Sequence, residues 1–167
     1  MPHPLHCAAF VAGALFASTC FAGQATHCRA DEQTFFNCKV RSGKSISVCG
    51  SKVVSAKSGY VQYRFGLLGK PELEYPATAT EGPARFALES HRPYQGESEH
   101  LHFSIGKHEC SVYQVHGTDT VPHNTAGVLV SGPSVGAKGE RKFSDLKCLP
   151  GRTEGLGVLS GTVPPAQ

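Results

Sequence analysis

Four metal-ligating side chains crowd one stretch of this chain: His100 and His102, then His108 and Cys110. Imidazole nitrogen and thiolate sulfur are the donors of zinc and related transition-metal sites. Residues two apart on a strand share a face, so His100 sits with His102 and His108 with Cys110. Gly106-Lys107 between them reads as a tight turn, which would set the two strands side by side and let the four donors converge. The same spacing is also the plain alternation of a half-exposed strand, with Leu101, Phe103 and Ile105 turned to the core. The alternation is the reading adopted, with no metal and no cofactor. The set His100, His102, His108 and Cys110 stands as the alternative.

Other catalytic groupings are weaker. Gly132-Pro133-Ser134-Val135-Gly136 has the outline of a nucleophile elbow but lacks a strand-to-helix context, and it reads as a loop. Glu72, Glu74, Glu81 and Glu89 offer carboxylates, yet nothing sets two of them at the separation glycoside chemistry needs. Phosphate-binding and dinucleotide glycine motifs are absent. No catalytic residue is assigned, and the expectation is a non-enzyme. The segment Lys57-Ser58-Gly59-Tyr60, with Arg64 and Lys70 as neighbours, has the composition of a contact loop: a turn, an aromatic residue and cations.

The elements that must carry these residues are strands. Short apolar runs recur at 35–40, 45–49, 60–65, 73–75, 85–88, 101–105, 111–115, 127–130 and 143–148, separated by Gly, Pro, Ser and Asn. No stretch holds a helical period over three turns. The expectation is all-β: a single antiparallel β-sandwich or small β-barrel of about eight strands, spanning residues 23–150. Residues 151–167, ending near Pro164-Pro165, are expected to be a partly flexible tail.

The start of the chain reads as a secretory signal, residues 1–22. Ala8 to Ala17 is an apolar core too short to span a bilayer, and Cys20-Phe21-Ala22 is a small-residue exit. The leader has no Lys, Arg, Asp or Glu, so the net charge of +3 belongs to the remainder. That charge is scattered among acids, which argues against a nucleic-acid partner. No further apolar run is long enough for a transmembrane helix. The expected location is periplasmic or secreted, where thiols oxidise. Of seven cysteines, Cys7 and Cys20 fall in the leader. The other five, Cys28, Cys38, Cys49, Cys110 and Cys148, allow two disulfides and one free thiol, with the pairing open. Cys38 and Cys49 flank a hairpin and are a local candidate. Cys148 is a candidate for tying the end of the domain to an early strand.

Phe36-Asn37-Cys38, Ser45 to Cys49, Gly59 to Gly66, Gly69 to Leu73, Cys110 to Tyr113, Ala126 to Val130 and Leu146-Lys147-Cys148 together resemble a group of small exported proteins of Gram-negative bacteria. That resemblance implies compartment and β class. The aromatic-x-Cys strand before Gly43, with Ser58-Gly59-Tyr60, is also similar to periplasmic C-type lysozyme inhibitors, whose Ser-Gly loop enters the enzyme's cleft; the Trp of their motif has no counterpart here. The resemblance implies an inhibitor or immunity protein against a lysozyme-like enzyme or toxin. A metal protein built on the histidines, or a structural envelope component, is the alternative.

Overall fold

The computed structural model describes residues 25–92, 96–118, 124–135 and 140–166. The predicted leader, residues 1–22, lies outside them. Two antiparallel sheets pack face to face as a sandwich, which decides between the sandwich and the barrel. The strands are β1 (Glu32–Lys39), β2 (Ser45–Ser51), β3 (Val61–Leu67), β4 (Lys70–Tyr75), β5 (Ala87–His91), β6 (Gly96–Ile105), β7 (His108–Gly117), β8 (Thr125–Val135), β9 (Glu140–Lys147) and β10 (Thr153–Glu154). The first sheet runs β10-β1-β2-β3-β4 and the second β5-β6-β7-β8-β9. Nearly every neighbour in space is a neighbour in sequence, the pattern of hairpin meanders. No helix among the described residues is long and apolar enough to cross a membrane.

Alternation supplies the core. Phe36, Val48 and Tyr63 turn inward from the first sheet, and Leu101, Phe103, Val112 and Val128 from the second. Phe103 is the hub of an aromatic cluster, its ring 4.9 Å from Tyr63, 5.1 Å from Tyr75 and 5.4 Å from Phe86. A bulge between Thr34 and Phe36 breaks the alternation of β1, so consecutive Phe35 and Phe36 are both buried. Gly50 leaves room for the Phe35 ring, since a Cβ there would lie 2.7 Å from it. Two expectations about strand bounds change. Arg85 closes a short 3-10 turn, Pro83–Arg85, ahead of β5. The described part of the predicted 132–136 loop, Gly132 to Val135, is the end of β8.

The C-terminal segment departs from the predicted loose tail. Leu156, Leu159 and Val163 are buried in the core, and β10 pairs with β1. The Leu88 amide donates to the Pro164 carbonyl at 2.8 Å, and the Ala166 amide to the Leu88 carbonyl at 3.0 Å. Three apolar side chains hold the segment down, and its backbone covers the otherwise open edge of β5. Proline tolerates this place because only its carbonyl is needed.

Cys28 bonds Cys49, Cys38 bonds Cys148, and Cys110 is a buried free thiol. The local Cys38–Cys49 candidate fails for a geometric reason. Cys38 lies opposite core-facing Ile46, whereas Cys49 lies opposite Thr34 on the outer face. The pairing of Cys38 with Cys148, also joined by a bridge between Val40 and Cys148, links the two sheets at their corner. Two disulfides suit an oxidising environment. The Cys38–Cys148 link spans 110 residues. Replacing both cysteines with serine is therefore expected to cost about 4 kcal/mol, read as a lower urea midpoint against the disulfide-intact chain.

Candidate functional site

The loop 52–60 between β2 and β3 is exposed over most of its length. Lys52, Val53, Lys57, Ser58 and Gly59 are exposed, and Val53 retains 79% of its surface. The loop is internally braced. Ser55 and Ser58 exchange backbone hydrogen bonds of 2.9 and 3.2 Å, and their hydroxyls meet at 2.8 Å. Gly59 sits at φ 76°, and a Cβ there would come within 2.7 Å of the Val53 carbonyl, so glycine is required. The Tyr60 amide donates to Ser51 Oγ at 3.1 Å.

Tyr60 fastens this loop to a buried ionic network instead of projecting from it. Its hydroxyl donates to Glu32 Oε1 at 2.6 Å. Glu32 takes a bidentate pair from Arg64, Nη1 to Oε2 and Nη2 to Oε1, both 2.6 Å. Arg64 Nη1 also donates to the His27 carbonyl at 2.8 Å, and Nε and Nη2 to Gln62 Oε1 at 2.9 and 2.7 Å. Residues 25–31 are folded across this outer face. The Cys28–Cys49 bond, the His27 amide on Ser47 Oγ (3.1 Å) and the Asn37 amide on the Ala25 carbonyl (3.2 Å) hold them there. Burial pushes the Glu32 carboxyl up, but hydrogen bonds from Arg64, Tyr60 and the Arg29 amide, with the Arg64 charge, outweigh it and bring it down to about 2. Burial opposes the Arg64 charge too, but the hydrogen bonds and charge of Glu32, with the charges of Glu74 and Tyr60, raise its pKa on balance.

The six predicted contact residues therefore divide. Lys57, Ser58 and Gly59 form the protruding loop, and half-buried Tyr60 is its root. Arg64 is 2% exposed and is a structural anchor, a correction to its reading as a contact residue. Lys70 belongs elsewhere. β3 has seven residues between the loop and the β3–β4 turn, so Lys70 lies about 20 Å from Tyr60 at the opposite end of the sheet. The loop also holds the unpredicted exposed residues Lys52, Val53, Ser55 and Ala56, and the run Lys52-Val53-Val54-Ser55 gives no periodic signal of exposure.

The histidine patch does not assemble as the metal alternative required. Phe103 pairs with Cys110 and His102 with Ser111, so Cys110 faces the core while His100 and His102 face outward. His108 shares the inner side with Cys110 at the exposed strand end. One residue of register separates the two pairs onto opposite faces. On the outer face the His100 ring stacks 6.0 Å from His102 and 6.0 Å from Tyr113, His102 meets Glu89 at 3.2 Å, and Tyr113 donates to Asp145 at 2.9 Å. Burial, then the charge of His102, depresses His100. Burial raises Cys110, keeping it a thiol and a poor nucleophile.

Another donor set went unnoticed in the sequence. Glu97, Glu99 and His116 bring one ligand atom each within 4.8 Å of one another, because Glu97 pairs with His116 across the β6–β7 ladder. Glu97 is engaged by Arg92 at 3.5 Å and Glu99 by the Gln114 amide at 3.1 Å. The four carboxylates weighed for glycoside chemistry each meet a basic group: Glu72 meets Lys44, Glu74 meets Arg64, Glu81 meets Arg85 and Glu89 meets His102. Compared with protein-family models, curated proteins and solved structures, the chain matches none.

Two outcomes follow from the network. Arg64→Ala leaves the Glu32 charge buried without its cation, and is expected to cost about 3–5 kcal/mol in urea unfolding. Glu32 ionises lower in the fold than at its ordinary value of 4.5, so its stabilisation is complete above pH 4.5 and is lost as pH falls toward about 2. Glu32→Gln should therefore flatten the dependence of the melting temperature on pH across that window.

Proposed function

We propose that this chain is an exported, non-catalytic binding protein of the periplasm or extracellular space. It acts as an inhibitor or immunity protein whose loop 52–60 fills the cleft of a cell-wall-directed or other toxic enzyme. The observation that carries this reading is the loop itself: an exposed Val53 between Lys52 and Lys57, on a backbone braced by Ser55, Ser58 and Gly59. A loop ordered before binding loses little conformational entropy on insertion. An apolar tip can seat in a pocket while flanking lysines meet acidic groups. Muramidase clefts supply those groups, since glycoside hydrolysis uses a pair of carboxyls. The two disulfides and the apolar leader agree with export, and the similarity of Ser58-Gly59-Tyr60 to the loop of C-type lysozyme inhibitors points to the same target class.

Turbidity assays against a panel of muramidases test it. Inhibition of at least one is expected, with Val53→Asp and Lys57→Glu each weakening it by about tenfold or more while the melting temperature holds. If no muramidase is inhibited, or if inhibition ignores both substitutions, the lysozyme-directed reading falls.

A further inference from the structure

The end of the first sheet opposite loop 52–60 has a different surface chemistry. The β1–β2 and β3–β4 turns close together there, because Ser45 pairs with both Lys39 and Gly66, and Leu67 with Lys70. Hairpin tips are ordinarily built of polar turn formers. This one reads Leu67-Leu68-Gly69-Lys70, with Gly69 at φ 75° making the turn. Leu67 and Leu68 are 49% and 45% exposed, and Leu73 on the adjoining edge strand is 36% exposed.

Cations lie on both turns at this end of the sheet. Lys39, Arg41 and Lys70 are exposed, and Lys44 lies 5.3 Å from the centre of the Phe65 ring and 2.6 Å from Glu72. Residues 39–44 and 66–71 hold four basic residues and no Asp or Glu. The two acids that follow, Glu72 and Glu74, are directed to Lys44 and Arg64. The result is an apolar tip beside a local excess of positive charge, with Lys39, Arg41 and Lys70 exposed and Glu72 answered by Lys44.

We propose that this end docks on an anionic phospholipid surface. Leu67 and Leu68 enter the interface between headgroups and acyl chains, and Lys39, Arg41 and Lys70 meet the lipid phosphates. Apolar burial and polybasic attraction are the two components of interfacial membrane binding. A narrow hairpin tip buries far less than the roughly 1,200 Å² of a stable protein interface. It is, however, shaped to slip between lipids. Docked this way, the chain would hold loop 52–60 away from the bilayer, free to meet a partner.

Cosedimentation with vesicles tests the proposal, using phosphatidylcholine alone and phosphatidylcholine mixed with phosphatidylglycerol. Binding to the mixed vesicles is expected, about tenfold or more above the neutral ones, and reversed by high salt. Leu67→Ser with Leu68→Ser, and separately Arg41→Glu with Lys70→Glu, should each lower it about tenfold. Val53→Asp, at the other end, should leave it unchanged. All five positions are exposed, and an unchanged melting temperature verifies the fold of each variant. Absence of binding, equal binding to neutral vesicles, or indifference to the leucine substitutions overturns the proposal. So does a finding that the leucines instead drive self-association seen by sedimentation velocity.

Discussion

The ion pair between Arg64 and Glu32 is the constraint on which the outer face of the first sheet depends. A guanidinium that is 2% exposed is tolerable only if its donors are met. Here Glu32, Gln62 and the His27 carbonyl meet them, from the start of β1, from β3 and from the segment ahead of β1. The pair thereby makes residues 25–31 part of the fold. Without that segment the charges would lie at the surface, where such a pair is worth little. The Cys28–Cys49 bond adds a covalent stitch to the same layer, and Tyr60 extends it to the root of loop 52–60.

The two ends of the first sheet then acquire separate characters from one strand. β3 begins at the braced, lysine-flanked loop and ends at the leucine tip. Its middle is immobilised on both sides, by Arg64 outside and by Tyr63 against Phe103 inside. Since a strand is stiff, the two ends face opposite directions. The remaining covalent tie, Cys38 to Cys148, locks the corner at which the chain crosses from the second sheet back to the first. The C-terminal residues complete the enclosure by placing Leu156, Leu159 and Val163 in the core.

Much of the strand order was legible because alternation and turn residues are local signals. Tyr63 and Phe65, or Leu101, Phe103 and Ile105, announce which face is buried. The site was less legible. Arg64 lies between aromatic residues on a strand whose outer face normally meets solvent, so its type and position suggest exposure; only the overlying segment buries it. Lys70 is near Tyr60 in sequence but far from it in space because an extended strand separates them. The tail misled because glycines and two prolines outweighed three spaced apolar residues.

By itself, the sequence determined the β class, the count of cysteines able to pair, and the alternation that divides core from surface, because each rests on residue type and short spacing. Tertiary structure decided which cysteines met, which cation was buried, and that His100 and His102 turned away from Cys110. Those outcomes depend on register and on segments far apart in the chain, where a shift of one residue exchanges one face of a sheet for the other.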